Sequence, residues 1–256
     1  MDHSLAQEVH AWIADDPDPT TAAQLQQWLD AGNESELRAS FNGFLQFGTA
    51  GLRGPIRPGP SGMNRAVVGR AASGIVAYMK ERNLTSVVIG RDARYGSEDF
   101  TFETAEIMSG AGMKVYVLPR PLPTPVLAFA TNELKCDVGI MVTASHNPPD
   151  YNGMKFVREG SRPISGDNGL QDIRRIAEQG VFTKPTRVGE RFAVDIMPEY
   201  IEHLLSYVDR SKLKPLKVVV HAGNGGAGLI IDKLEQHLPF KFIKVHHEPD
   251  GTFPNG

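Results

Sequence analysis

An apolar run that ends in a short polar turn constrains the fold of this chain more than any other feature. Residues 138–142 are continuously apolar, and the polar residues 143–148 follow directly. Such a run predicts a central strand covered on both faces, and Pro148 marks the turn because it keeps Asn147 out of the helical region. Open α/β sheets bind ligands at the carboxyl ends of their strands. The sequence therefore predicts that Ser145 and His146 stand at a functional edge.

Ser145 could carry chemistry at this edge in two ways. A serine can attack a carbonyl when a base lies beside it, or it can hold a phosphoryl group among cations and a metal. No Gly-x-Ser-x-Gly elbow surrounds Ser145, which disfavours a hydrolase. A Ser/Asn turn can also do no more than satisfy backbone groups. The choice between these readings depends on the rest of the chain.

Length and composition narrow the class of protein. The 256 residues suffice for one large or two ordinary domains, and the net charge of -3 gives no reason to expect nucleic acid or an anionic membrane as a partner. Cys136 is the single cysteine, so no internal disulfide can form, and we expect a buried thiol. The sequence has neither a basic-then-apolar amino end nor an apolar stretch of membrane-spanning length. These features favour a cytoplasmic protein.

Helical and strand patterns alternate along the chain. The periodicity predicts helices at 5–14, 21–38, 65–82, 99–111, 125–134, 167–180, 198–208 and 229–238, and strands at 87–89, 115–118, 138–142, 153–157, 217–221 and 240–245. The strand at 153–157 follows its predecessor too closely for a crossover helix, so we expect it to be antiparallel. Residues 181–195 have no clear periodicity and are interpreted as a linker. The second unit has only two strands, which predicts a poorly buried sheet.

Three more stretches have candidate functional residues, and each has a plainer alternative. Residues 48–54 contain three glycines around Arg53, a pattern that suits phosphate but also a Gly-rich hairpin. Residues 90–94 form a basic turn after a strand, and they could face phosphate or form an Arg-Asp-Arg ion-pair network. Lys155 on the returning strand is either near Ser145 or a surface lysine.

A competing motif lies in the second unit. Residues 223–228 match the dinucleotide fingerprint G-x-G-x-x-G, and they follow a predicted strand and open a predicted helix. Glu248 and Asp250 lie about twenty residues further on, as the fingerprint requires. This match supports an NAD-binding protein as an alternative. The few residues that follow, and a first unit without a hydride-transfer site, count against it.

Five stretches in order resemble the α-D-phosphohexomutases, the phosphoglucomutase/phosphomannomutase superfamily. They are residues 48–54 (Gly-Thr-Ala-Gly-Leu-Arg-Gly), 90–94 (Gly-Arg-Asp-Ala-Arg), 123–125 (Pro-Thr-Pro), 143–148 (Thr-Ala-Ser-His-Asn-Pro) and 152–155 (Asn-Gly-Met-Lys). The resemblance implies an α/β fold: a three-layer α/β/α domain with a mixed four-stranded sheet whose last strand is antiparallel, followed by part of a second similar domain. We expect a helical arm at 1–46, the phosphoserine domain at 47–185 and an incomplete second domain at 196–256.

The resemblance also implies roles for individual residues. Ser145 would be the phosphoserine, and its phosphate would be a ligand of Mg²⁺. Arg53 would hold charge on the transferring phosphoryl group, and Lys155 would be the general base or acid. His146 would contact the phosphoryl group or a sugar oxygen. Further substrate contacts are expected from Thr49, Arg91 and Asn147.

The family's activity, by the same resemblance, is transfer of a phosphoryl group between the 1-hydroxyl and the terminal 6- or 5-hydroxyl of a sugar. The transfer passes through a bisphosphate, and a sugar bisphosphate is the activator. The family's metal loop, Asp-Gly-Asp-x-Asp-Arg, does not occur among these 256 residues. We therefore expect a fragment, a truncated gene product or a non-catalytic homologue, and a chain that is inactive alone. Choice of sugar would belong to the absent part.

Overall fold

The computed structural model describes residues 3–180 and 189–255, so residues 181–188 of the expected linker, with the expected boundary at 185, lie outside the described residues. The helices are α1 (His3–Asp15), α2 (Pro19–Asp30), α3 (Glu34–Ser40), α4 (Arg65–Glu81), α5 (Ser97–Gly110), α6 (Thr124–Glu133), α7 (Leu170–Gln179), α8 (Met197–Ser206) and α9 (Ala227–Leu234). The strands are β1 (Gly51–Pro55), β2 (Ser86–Arg91), β3 (Lys114–Pro121), β4 (Val138–Val142), β5 (Tyr151–Arg158), β6 (Arg162–Pro163), β7 (Arg191–Ala193), β8 (Lys217–His221) and β9 (Lys241–Val245).

One mixed sheet contains most of these strands, in the order β1-β5-β4-β2-β3-β7, with β6 paired to β5. The four strands that the sequence predicts for the first unit form its middle. β4 runs parallel to β2 and antiparallel to β5, with Met141 opposite Gly90 on one side and Lys155 on the other. The predicted antiparallel return is therefore confirmed.

Besides β6, two further strands extend the sheet beyond the predicted four. β1 pairs antiparallel with β5 at one edge, and β7 pairs parallel with β3 at the other, with Phe192 opposite Tyr116. The interpretation of 181–195 as linker throughout is wrong at Arg191–Ala193. A three-residue strand is too short to show a period, and edge pairing alone produces it.

Successive side chains of a strand point to opposite faces of the sheet, so the core consists of one apolar cluster on each face. On β2, Val87 and Ile89 belong to one apolar cluster, which includes residues of α4, α5 and α7, and Val88 belongs to the other, which includes residues of α6 and α8. Burying a valine or isoleucine fully stabilises the fold by about 1.5–3 kcal/mol. Both faces are therefore covered, and the expected three-layer α/β/α architecture is confirmed.

The amino-terminal arm packs on the first of these clusters. The single helix predicted at 21–38 is wrong, because α2 and α3 are separate. Gly32 takes a left-handed φ of 64° after α2, and Asn33 begins α3 by accepting a hydrogen bond from the Glu36 amide through its side chain. Both helices bury apolar residues in the same core, so the apolar residues of the two helices together resemble the pattern of a single long helix. Trp12 is buried and contacts Phe41 edge to face, so it anchors the arm.

The second unit consists of the two parallel strands β8 and β9 with α8 and α9. Ile230 of α9 is buried in the cluster under α6. Val219 and Ile243 lie on the strands and are 64% and 41% exposed, so the expected poorly covered two-stranded sheet is confirmed. Across the described residues, the helices are all too short or too polar to cross a membrane.

Candidate active site

A cleft of about 200 Å³ opens where β4 ends and where β1 pairs with β5. Its walls come from residues 48–53, from Thr143 and Ala144, and from Met154 and Lys155. Three of the stretches singled out from the sequence therefore meet, although about 100 residues separate the first from the last. Gly51 allows this approach: its φ is 146°, and a Cβ there would lie 1.9 Å from the Met154 carbonyl oxygen.

Ser145 stands on the turn directly after β4, with its side chain exposed. Its φ is 60°, in the left-handed region that costs an ordinary residue about 1–2 kcal/mol. The conformation persists because the Ser145 amide donates a hydrogen bond of 2.9 Å to Thr143 Oγ1. The serine hydroxyl is thus presented to solvent by a turn whose shape is fixed from behind.

Asp92 anchors this arrangement. Thr143 Oγ1 donates to Asp92 Oδ2 over 2.6 Å, so the bond chain runs from the Ser145 amide through the threonine to the carboxylate. The other oxygen, Oδ1, accepts from the Arg94 amide at 3.0 Å and from Ser97 Oγ at 2.9 Å. Both oxygens of the Asp92 carboxylate are satisfied by these bonds, and a carboxylate held in this way rigidifies the groups around it. The turn after β2 therefore fixes the turn after β4.

Arg94 lies within the same network, with its guanidinium behind the turn. Its Nε lies 3.2 Å from Asp92 Oδ2, and the side chain is almost completely buried. For Asp92 and Arg94, the structure thus has the ion pair that was one of the two alternatives for residues 90–94. Arg91 points elsewhere and pairs with the exposed Glu98 over 3.2 Å. Arg91 and Arg94 are both absent from the residues that line the cleft.

Two cations from neighbouring strands stand beside the serine turn. Arg53 of β1 donates from Nη1 to Asn147 Oδ1 over 3.2 Å, which ties the glycine segment to the turn. Lys155 of β5 lines the cleft and pairs with Gly51 in the sheet. Both positive charges flank the site from which an exposed serine would present a phosphoryl group. Such an arrangement stabilises negative charge that develops on that group.

The remaining predicted residues occupy the rim. His146 is exposed, and its Nδ1 lies 3.5 Å from Ser145 Oγ, the outer limit for a hydrogen bond. Thr49 is exposed and lines the cleft. Thr49, Arg53 and Lys155 thus line the cleft, and Ser145, His146 and Asn147 lie on the turn next to it, which Arg53 contacts. Arg91 belongs to neither group.

A complete metal site is not formed by these side chains. Within residues 3–180 and 189–255, no three His, Cys, Asp or Glu side chains are grouped to hold an ion. Asp92 reaches the turn, but hydrogen bonds and an ion pair already occupy both of its oxygens. Magnesium requires several oxygen ligands. The described residues therefore do not fit a magnesium ion by themselves, and Ser145 would contribute one ligand once phosphorylated.

The glycine turn of the second unit packs against its surroundings. A Cβ on Gly226 would lie 3.0 Å from atoms of Leu122 and Pro123, and one on Gly228 would lie 2.1 Å from the His247 carbonyl oxygen. The contact at Gly228 is closer than a side chain allows, and the contact at Gly226 would be tight. This packing gives glycines in the turn a role that requires no nucleotide.

Local sequence patterns predict the turn but not the groups that hold it. Thr143 and Asp92 lie within residues 143–148 and 90–94 and are not among the predicted functional residues. A polar residue directly after a buried strand, and an Asp two residues before an Arg, are the signals that could have found them. Phe253, whose ring covers Arg94, had no signal in the sequence at all.

Comparison with known families and proteins gives consistent results. The family model described as phosphoglucomutase/phosphomannomutase, alpha/beta/alpha domain I, matches residues 45–184, and the model for domain II matches residues 198–256. A phosphomannomutase of Vibrio cholerae is 48% identical over 176 residues, which cover 67% of this chain and 38% of the relative. A protein of Xanthomonas campestris named phosphohexose mutases is 50% identical over 183 residues, 71% of this chain and 40% of the relative.

A solved structure has a similar fold. It is a phosphoglucomutase/phosphomannomutase family protein from Burkholderia thailandensis, which superimposes with a TM-score of 0.70 and 29% identity. The match covers 81% of this chain and 45% of that structure. The chain therefore spans about two fifths of the length of the curated relatives it matches. The domain I match alone covers more than half of the 256 residues, and the chain belongs to the phosphoglucomutase/phosphomannomutase family.

Proposed function

We propose that residues 1–256 are the phosphoserine-bearing part of a phosphosugar mutase that acts on the 1-hydroxyl and the terminal 6- or 5-hydroxyl of a sugar. The observation that carries the proposal is the exposed Ser145, held at the end of β4 in a fixed left-handed turn with Arg53 and Lys155 beside it. The names of the relatives favour a hexose phosphate as substrate. The division at 1–46, 47–185 and 196–256 and a cytoplasmic location belong to the same proposal.

The proposed reaction divides the work among these side chains. The bond between Ser145 Oγ and phosphorus breaks as a sugar hydroxyl oxygen bonds to the phosphorus. Lys155 takes the proton of that hydroxyl, the released Ser145 Oγ takes up a proton from solvent, and Arg53 holds the charge on the transferring group. The bisphosphate turns round, and Ser145 Oγ loses its proton to solvent and bonds to the other phosphorus. The bond between that phosphorus and its sugar oxygen breaks, and Lys155 returns its proton to this oxygen. Thr49, Asn147 and His146 would contact the sugar phosphate, and Arg91 would do so only after leaving Glu98.

Members of the family depend on a metal ion. In the proposal this ion is Mg²⁺, which would neutralise charge on the phosphoryl group, and a sugar bisphosphate would be the activator. Ser145 would hold the ion through its phosphate. The carboxylate ligands would come from outside the described residues, because none of those residues offers a free group of acids at the turn.

A chimera tests the proposal. Residues 45–256 replace the matching part of the Vibrio cholerae phosphomannomutase, and conversion of mannose 1-phosphate is followed with Mg²⁺ and a bisphosphate. We expect turnover, with Ser145→Ala lowering kcat at least about a thousandfold because the covalent route is lost. Arg53→Ala should lower it about 100- to 1000-fold, as removal of one charge-stabilising donor does.

Controls make the result specific. Ser211→Ala removes an exposed serine of the second unit and should leave kcat unchanged. Peptide mass analysis should place a single phosphate on Ser145. A chimera that folds like its parent but is inactive would favour the non-catalytic homologue. Phosphate on another residue, or near-normal turnover of Ser145→Ala, would refute the assignment of the phosphoserine.

A further inference from the structure

The backbone carbonyls of the Ser145 turn converge on one buried side chain, Arg94. Its Nη2 donates to the carbonyl oxygens of Ser145 at 2.9 Å and Asn147 at 2.8 Å. Its Nη1 donates to those of Pro148 at 2.7 Å and Tyr151 at 3.2 Å. The planar guanidinium thus fixes four carbonyl directions at once, which a lysine could not do.

Phe253, from the far end of the chain, covers this guanidinium. The centre of its ring lies 4.8 Å from Arg94 Cζ, within the range of a cation–π contact. The chain beside it lies flat on the same loop, because a Cβ on Gly251 would lie 2.3 Å from the Ala93 carbonyl oxygen. Phe253 takes a φ of 45°, so its own backbone is also held in an unfavourable conformation. The covering segment therefore has a defined conformation.

Asn224, in the glycine turn of the second unit, holds the covering segment. Its carbonyl oxygen accepts from the Asp250 amide at 2.8 Å, and its Nδ2 donates to the Glu248 carbonyl oxygen over 3.1 Å. Asn255 Nδ2 donates to Asn224 Oδ1 over 3.2 Å. The two acidic residues that a dinucleotide fingerprint would use therefore serve here through their backbone. A continuous path of contacts joins the second unit to the turn of Ser145.

We propose that Arg94 and Phe253 are positioning residues for Ser145, through which the second unit fixes the geometry of the phosphoryl-bearing turn. This inference rests on the proposed function, because positioning of Ser145 matters only if the serine carries the phosphoryl group. The experiments below measure the positioning itself. Without the ring, the guanidinium loses its cation–π contact and is held less firmly against the four carbonyl oxygens. The left-handed conformation of Ser145 then loses the carbonyl bonds that offset its strain. Contact between the units would thus set how rigidly the serine is presented.

Amide hydrogen exchange in the 256-residue chain tests the coupling. Phe253→Leu keeps an apolar cover but removes the ring, and we expect it to speed exchange of the Asn147 and Tyr151 amides about three- to tenfold. Exchange of the Val88 amide in β2 should not change, which reports that the first unit stays folded. Phe253→Tyr keeps the ring face and should restore the slow rates. Phe192→Leu, on the edge strand β7, is the matched control and should have no effect.

A double variant shows whether Phe253 acts through Arg94. Arg94→Lys should speed exchange of the same amides, and adding Phe253→Leu to it should change them no further. The ring should also shift the NMR signal of the Arg94 Nε proton upfield in the unmodified chain, compared with the same signal in Phe253→Leu. Additive effects of the two substitutions, unchanged exchange in a folded Phe253→Leu chain, or an unshifted Arg94 proton would each refute the proposal. No substrate enters these measurements, so failure of the mutase proposal would leave their outcome distinct.

Discussion

Among single residues, Ser145 combines exposure with a strained backbone. Its left-handed φ of 60° costs about 1–2 kcal/mol, which the bond to Thr143 and the carbonyl bonds from Arg94 offset. A serine in this conformation cannot relax into the turn and bury its hydroxyl. The residues that hold it are buried or half-buried, whereas Ser145 faces solvent.

The sequence predicts this residue's location but not its support. The apolar run of β4 and the Asn-Pro pair place a turn at Ser145, because both signals are local. Arg94 and Ser145 lie 51 residues apart, and no local pattern reports a bond between them. The left-handed conformation follows from such long-range bonds, so it could not be predicted either.

Cys136 gives a test of pH dependence. Burial raises the pKa of its thiol from 9.0 to about 12, so in the folded chain the thiol stays neutral while in the unfolded chain it ionises above pH 9. The unfolded state then binds fewer protons, and the free energy of unfolding falls as pH rises from 9 towards 12, by about 1.4 kcal/mol per pH unit. We expect Cys136→Ala to remove this contribution. Urea unfolding under reducing conditions at pH 8, 9, 10 and 11 measures it.

The comparison with the alanine variant isolates the thiol from other groups that titrate in this range. Wild type should be the more stable protein at pH 8, because alanine leaves a small cavity, and the difference should shrink as the pH rises. Equal pH dependence of the two proteins would show that the folded thiol ionises normally.

The sequence predicts single elements well where the patterned stretch is long or fully apolar, and poorly where it is short. α4 and β4 were predicted within one residue of their ends, because long or fully apolar stretches leave few alternatives. The break at Gly32 and the strand β7 were missed. In both cases tertiary packing or edge pairing, which no local pattern reports, decided the outcome.

The contact between α9 and the end of β9 gives a test at the scale of one element. Gly228→Ala would favour α9 by up to about 1 kcal/mol on helix propensity alone. Its Cβ would, however, lie 2.1 Å from the His247 carbonyl oxygen, and overpacking of this kind costs about 1–3 kcal/mol. We expect a net loss of stability in the second unit, seen as faster hydrogen exchange of the β8 and β9 amides.

Gly225→Ala is the control for this prediction, because its Cβ would meet the Ala222 carbonyl oxygen at 3.4 Å and its φ is not positive. It should leave the exchange of β8 and β9 nearly unchanged. Equal protection of β8 and β9 in Gly228→Ala and wild type would mean that α9 shifts freely, and the glycine would then need another explanation.

On the scale of the whole molecule, the sheet of the first unit is well covered and that of the second is not. Both faces of the large sheet are covered by helices, whereas Val219 and Ile243 of the small sheet are exposed. The domain I match could be predicted from five short motifs, because each one supplies a charge, a glycine or a turn at the same sheet edge. The position of the second unit over Arg94 could not be predicted. Phe253 and Gly251 contact residues far away in the sequence, and no local pattern reports such contacts.

We expect the 256-residue chain, assayed by itself, to turn over no phosphosugar. Phosphoryl transfer depends on charge neutralisation by a metal and on positioning of both ends of the substrate. The chain supplies Ser145, Arg53 and Lys155, but the described residues contain no group of acids for a metal. Purified protein should therefore give background rates with glucose 1-phosphate, mannose 1-phosphate and ribose 1-phosphate in the presence of Mg²⁺ and a sugar bisphosphate.

The chimera with the Vibrio cholerae relative is the positive control, since it adds the part of the relative that this chain does not match, without changing the serine turn. Limited proteolysis of the chain alone should cut first within the second unit, where the small sheet is least covered. Turnover by the chain alone that disappears in Ser145→Ala would contradict the charge argument. Such a result would mean that a second copy of the chain completes the site, and activity would then rise with the square of protein concentration.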